Sequence, residues 1–140
     1  MEKTLLDTDI FSEILKKKHA IVISNAERYK TMFGQYTIST ITVLEIVKGF
    51  HKMRREEKLQ QFLSTVTAAE IVTLSLKSAE LAGRIYADLE RTGQPIGRAD
   101  PIIAALALEH NLVLSTGNTG HYQRIKDLGY DLKIENWKLA

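Results

Sequence analysis

The sequence predicts an α/β fold: a three-layer α/β/α sandwich around a mainly parallel sheet. Three observations predict it. Short apolar, β-forming runs alternate with longer segments whose apolar residues recur every three or four positions. The order is β-α-α-β-α-α-β-α-α-β-α-β, and such alternation joins parallel strands through helical crossovers. Residues 102–108 are apolar almost all round, which marks a helix in a buried layer.

The elements follow in order. Thr4 to Asp7 reads as a short buried strand, and its end turns directly into a helix reaching about Lys17 through Ile10, Phe11, Ile14 and Leu15. A second helix fits Ala20 to Phe33, with Val22, Ala26, Tyr29 and Phe33 on one face and Gly34 as its stop. Tyr36-Thr37-Ile38 is rich in β-formers. Ser39 or Thr40 opens a third helix through Val43, Ile46, Val47 and Phe50. Glu56 to Val66 is a fourth, with the stripe Leu59, Phe62, Leu63 and Val66.

Glu70 to Leu74 is the next strand. Ser75 caps a long helix with Leu76, Ala79, Ala82, Ile85, Tyr86 and Leu89 expected inward, ended by Gly93. After the loop Gln94-Pro95-Ile96-Gly97, Asp100-Pro101 starts the all-round apolar helix. Leu112 to Ser115 is a strand, and Thr116-Gly117-Asn118 the turn after it. A short helix around Tyr122 and Ile125 leads to a last strand near Leu132 to Ile134.

At 140 residues the chain is one domain, 1–140, with no linker, repeat or low-complexity tract. The absence of cysteine excludes disulfides, thiolate metal sites and a Cys nucleophile. No apolar run approaches the roughly 20 residues of a membrane span. No signal-peptide core is visible either, so the cytoplasm is the expected compartment. The net charge of +2 is too small to indicate a polyanionic partner by itself. Its layout says more: Lys16-Lys17-Lys18-His19 is one basic run, and Lys48, His51, Lys52, Arg54, Arg55 and Lys58 form another. Either can meet phosphates, or simply be a solvated helix end.

The chemistry concentrates where strands end or helices begin: Asp7 with Asp9, Glu45, Asp100 and Asn118. Each has a local explanation. Asp7 or Asp9 suits a helix cap, Glu45 can close a capping box with Thr42, Asp100 is an N-cap before an N1 proline, and Asn118 suits a turn. Together they mean more. Glu45 lies between Leu44 and Ile46, where a carboxylate needs a partner. In a parallel sheet these points converge on one edge, the side where α/β proteins bind ligands. Carboxylates sharing a partly buried site repel unless a cation neutralises them. All-oxygen ligands favour Mg²⁺ or Mn²⁺ over zinc. The four histidines, His19, His51, His110 and His121, lack metal-pair spacing.

Four blocks, Leu5-Leu6-Asp7-Thr8-Asp9-Ile10, Thr40 to Gly49, Gly97 to Ala107, and Leu114 to Tyr122, resemble the signature blocks of PIN domains, and more narrowly of VapC-type toxins. The similarity extends to Ile134-Glu135-Asn136-Trp137. The resemblance implies a Mg²⁺- or Mn²⁺-dependent endoribonuclease. It puts the family's acids on Asp7, Glu45 and Asp100 and its hydroxyl residue on Thr116. The fourth acidic position falls on Asn118, an amide where many members have Asp, which puts a second ion in doubt. Asp9 would hold a water of the ion or orient Asp7. RNA is the implied substrate, with Lys48, Lys52, Arg54, Arg55 and Arg98 as candidate backbone contacts. A VapB-like antitoxin and a homodimer are the implied partners, with Ile21 and Ile23 as candidate contacts.

Two enzyme-like alternatives fit worse. A haloacid-dehalogenase-type phosphatase also opens on strand, Asp-x-Asp and helix, but its downstream Lys and acidic pair have no well-placed counterparts. A receiver domain needs an Asp at the end of a middle strand, where Ser39 stands. The non-enzymatic alternative is a catalytically weak PIN fold that binds RNA or a protein, and Asn118 favours it.

Overall fold

The computed structural model describes residues 1–97 and 99–139, so the candidate RNA contact Arg98 lies outside the described residues. The expected element order is observed: β1 (Thr4–Leu6), α1 (Thr8–Lys16), α2 (Ala20–Phe33), β2 (Thr37–Ser39), α3 (Thr40–Lys52), α4 (Glu56–Val66), β3 (Glu70–Val72), α5 (Leu76–Arg91), α6 (Asp100–Glu109), β4 (Val113–Ser115), α7 (Thr119–Asp127) and β5 (Ile134–Glu135). The five strands form one sheet in the order β3-β2-β1-β4-β5, and every pair is parallel. The chain winds from β1 outward to β3, then crosses back to lay β4 on the other side of β1. That reversal makes the β1/β4 boundary the switch point, the place at the carboxyl ends of the strands where open α/β sheets bind ligands. Leu6 pairs with Ser115, so the residues that follow, Asp7 and Thr116, leave the sheet side by side.

Side chains alternate across a strand. Leu5 and Leu114 therefore enter one core with α5, α6 and α7, while Leu6 and Ile38 enter the other with helices α1 to α4 and Trp137. These are the two outer layers of the sandwich. Helix α6 is buried along its length, with Ala104, Ala105, Leu106 and Ala107 fully inaccessible. Its three alanines let neighbours approach closely, which explains an apolar surface all round. Tyr29 crosses from α2 to the sheet: its hydroxyl accepts from the Thr4 backbone N–H at 3.2 Å and contacts Thr37 Oγ1 at 3.1 Å. One phenol thereby ties β1 to β2.

The caps follow the sequence where local chemistry decides them. Gly34 closes α2 at φ +83°, a conformation open to glycine at little cost. Ser39 caps α3 through the Thr42 N–H, so Thr42 does not form the expected box with Glu45. Ser75 and Ser78 form a reciprocal capping box on α5. The buried stripe of α5 runs Ser78, Ala82, Ile85, Leu89, and Leu76 is 89% exposed rather than inward. Leu76 is the first residue of the helix, and the inward Ser78 puts it on the opposite side. Leu63 of α4 is likewise largely exposed. Among the described residues no helix is long and apolar enough to cross a membrane.

Candidate active site

Asp7 sits directly after β1 and is only 4% exposed. It caps α1, but through the N–H of the adjacent Thr8 at 2.8 Å, which occupies one carboxylate oxygen. The other oxygen accepts from Thr116 Oγ1 at 2.8 Å and from the Tyr122 hydroxyl at 3.1 Å. These donors are neutral. Burial, with the nearby charges of Asp9 and Asp100 adding to it, pushes the Asp7 carboxyl from 3.8 up to about 6, although the bonds from Thr116 and Thr8 oppose the rise. Tyr122 is held well above its ordinary value by burial and then by the charges of Asp7 and Asp100, so it remains a donor.

Glu45 projects from α3, half-buried, and accepts from Thr8 Oγ1 at 2.6 Å; Thr8 Oγ1 also lies 3.0 Å from Thr42 Oγ1. Thr8 thus links the two carboxylates, its backbone on Asp7 and its hydroxyl on Glu45. Asp100 does not cap α6. Ala99 is the N-cap, with no side-chain cap bond, and Asp100 enters the first turn. Its carboxylate is therefore free to meet His121 Nδ1 at 3.1 Å. Burial and then the charge of Asp100 raise the Tyr86 phenol above its ordinary value.

Asp9 is turned the other way. One oxygen accepts from the Ile10 N–H at 2.9 Å, and the other from the Gly117 N–H at 2.8 Å, with Lys138 Nζ at 3.5 Å. It fastens α1 to the β4–α7 turn. Asn118 lies at the N-cap of α7 with an exposed side chain that makes no cap bond, and its backbone N–H donates to Thr116 Oγ1 at 3.0 Å. Thr116 therefore relays from the turn to Asp7.

The structure brings Asp7, Glu45, Asp100, Thr116 and Asp9 to the carboxyl edge of the sheet; Thr8 bridges Asp7 and Glu45, and the turn after β4 serves Asp7 through Thr116 and Asp9 through the Gly117 N–H. Among the described residues, no three Asp, Glu or His side chains are gathered closely enough to grip one ion as they stand. The donor set still suits a hard cation: a buried carboxylate carries only neutral donors, and two further acids raise its pKa. Four participants were not legible as such from sequence. Thr8, His121 and Tyr122 lie within the motif blocks, yet their partners are distant in the chain. Lys138 carries no local signal at all. Lys48 and Lys52 follow Glu45 at helical spacing on α3, and both are exposed, as are Arg54 and Arg55. Ile21 is 37% exposed, whereas Ile23 is half-buried.

The profile of the PIN domain matches residues 4–127, which include every acid described above. The chain belongs to the PIN-domain family. This PIN domain is 31% identical over 138 residues to the tRNA(fMet)-specific endonuclease VapC of Shigella flexneri, covering 98% of this chain and 99% of the relative. It is 32% identical over 141 residues to ribonuclease VapC2 of Haemophilus influenzae, again covering 98% and 99%. Among solved structures it superposes on the DNA-bound VapBC of Salmonella typhimurium with a TM-score of 0.81 at 30% identity, covering 98% of this chain and 99% of that one. A second, VapBC2 of Rickettsia felis bound to a promoter DNA fragment, gives 0.80 at 29% identity, covering 96% and 98%.

Proposed function

We propose that this PIN domain is a divalent-metal-dependent endoribonuclease and the toxin of a VapBC-type pair, acting in the cytoplasm. The observation that carries the reading is Asp7: a carboxylate buried at the switch point, held by the neutral donors Thr116 and Tyr122, and pushed up to about 6 by burial and then by neighbouring acids. The VapC relatives, whose names state ribonuclease or tRNA endonuclease activity, support RNA as the substrate. Neighbours that are VapBC complexes support a VapB-like antitoxin as partner, and a homodimer is part of the same proposal.

Asp7, Glu45 and Asp100 would hold Mg²⁺ or Mn²⁺. Bound there, the ion supplies Lewis acidity: it makes water a better nucleophile at neutral pH and offsets charge building on the phosphate oxygens. Thr116 and Tyr122 fix the orientation of Asp7, Thr8 that of Glu45, and His121 that of Asp100. Glu45 or Asp100 accepts a proton from the attacking water. Attack on a backbone phosphorus with loss of the 3′ oxygen leaves 5′-phosphate and 3′-hydroxyl ends. Asn118 adds an amide rather than a charge at the rim, so one ion is the expected complement. Lys48, Lys52, Arg54 and Arg55 supply cations for the RNA backbone.

The test is cleavage of labelled RNA in Mg²⁺ against EDTA by the wild type, Asp7→Asn, Glu45→Gln and Asp100→Asn. Each variant should lose more than the about 10–100-fold typical of partners that only orient metal ligands. The competing reading, a PIN fold that binds without cutting, is favoured by Asn118 and by the ungathered acids. It predicts no metal-dependent cleavage and no thermal shift in millimolar Mg²⁺ or Mn²⁺.

A further inference from the structure

The segment after β5 carries a lysine, Lys138, held over the acidic edge. Trp137 is buried; its backbone N–H donates to Ser115 Oγ at 3.1 Å, its indole N–H to Glu135 Oε1 at 2.8 Å, and its carbonyl accepts from Asn25 at 3.1 Å. The next backbone N–H, of Lys138, donates to Asn136 Oδ1 at 2.9 Å. With the chain fixed in this way, the Lys138 stem runs back over Gly117. A Cβ added at Gly117 would lie 3.1 Å from Nζ and 3.4 Å from Cε, so the lysine passes close over this glycine.

Among the described residues the ammonium has one weak partner. Its recorded ion partner is Asp9 Oδ2 at 3.5 Å, an oxygen that already takes the Gly117 N–H at 2.8 Å. An ammonium carries three donors, and a contact of that length satisfies none of them fully. The side chain is 31% exposed, so the pair is partly solvated and cheaply separated. Meanwhile Asp7, Asp9, Glu45 and Asp100 all lie along this edge, though not clustered on one point, and an anionic backbone approaching it meets repulsion. Among the described residues, Lys138 is the lysine or arginine in ion contact with these acids; the other cationic partner is His121, on Asp100.

We infer that Lys138 is a substrate-phosphate clamp: its ammonium leaves Asp9 and takes a backbone phosphate of the RNA strand entering the site. The inference rests on the nuclease reading above. Trp137 sets the clamp's position, and Gly117 gives it access to the edge. Lys138 neutralises one phosphate at the place where the carboxylates would otherwise repel it.

The test is equilibrium binding of a short fluorescein-labelled oligoribonucleotide, read by anisotropy in EDTA so that no metal-assisted cleavage competes. A salt titration is run on the wild type, Lys138→Gln, Lys138→Arg, and the double variant Asp9→Asn with Lys138→Gln. The clamp predicts several-fold weaker binding by Lys138→Gln, with the slope of log affinity against log salt reduced by about 0.7, the value for one phosphate on a single strand. Lys138→Arg should keep the slope. A probe with neutral methylphosphonate linkages should bind wild type and Lys138→Gln alike. If the lysine only neutralises Asp9, the double variant recovers wild-type affinity and slope, and the clamp is overturned. An unchanged slope in Lys138→Gln, with the wild type binding normally, overturns the clamp and leaves the nuclease reading standing. A wild type with no salt-dependent RNA binding in EDTA overturns the clamp, while the nuclease reading is decided separately by the cleavage assay in Mg²⁺ against EDTA.

Discussion

Asp7→Asn should make the metal-free protein more stable at neutral and alkaline pH. The native state holds the Asp7 proton up to about 6, against 3.8 for an ordinary carboxyl. Between those values the folded chain binds more protons than the unfolded one, so stability falls as pH rises through that window and is level above it. At about 1.4 kcal/mol per pH unit, the ionised Asp7 costs about 3 kcal/mol in the fold. The asparagine escapes that cost. It keeps an oxygen for the Thr8 N–H but presents an amide to Thr116 and Tyr122, whose hydroxyls must turn from donating to accepting. Allowing about 1 kcal/mol for that reorganisation leaves a net gain of about 2 kcal/mol. Urea denaturation in EDTA measures it: the variant's midpoint should exceed the wild type's near pH 8, and the gap should close on acidification to about pH 4. Equal midpoints at alkaline pH, or a gap that does not depend on pH, would refute the claim that Asp7 carries a desolvated, uncompensated charge.

Two further changes probe the scaffold around the site. Gly117→Ala sets a methyl carbon 2.4 Å from Asp9 Oδ2, so the carboxylate must swing away and give up the Gly117 N–H. A loss of about 1–3 kcal/mol is expected in thermal denaturation, with weaker RNA cleavage, and an unshifted Tm would mean that Asp9 does not pin the turn. Tyr29→Phe strips the hydroxyl that serves the buried Thr4 N–H and Thr37. It should cost about 1–3 kcal/mol by chemical denaturation while leaving the fold unchanged by circular dichroism, and a neutral result would show that β1 and β2 need no such tie.

The fold was legible because its signals are local. Gly34, Ser39 and Ser75 punctuate the helices where their conformational habits and side-chain oxygens dictate. The all-round apolar run of α6 marked the buried layer. Phase was less secure: Leu76 reads as part of the α5 stripe by type, yet the inward Ser78 turns it to solvent. At the site, Asp7, Glu45, Asp100 and Asn118 stood out as polar residues at strand ends and helix starts, while Thr116 came only from the family resemblance. Asp100 also read as a cap, and the structure frees it from that duty because Ala99 takes the N-cap position.

From the sequence alone came the alternation of strand and helix, the supply of oxygen donors, and the exclusion of cysteine chemistry, since each depends on residue type and near-neighbour spacing. Tertiary structure alone decided which donors meet. Thr116 reaches Asp7 across 109 residues because β4 lies against β1, and Lys138 reaches Asp9 because buried Trp137 anchors the segment after β5. Strand neighbours are chosen by how two apolar cores close on either face of a sheet. That choice belongs to the whole chain, and no stretch of a few residues contains it.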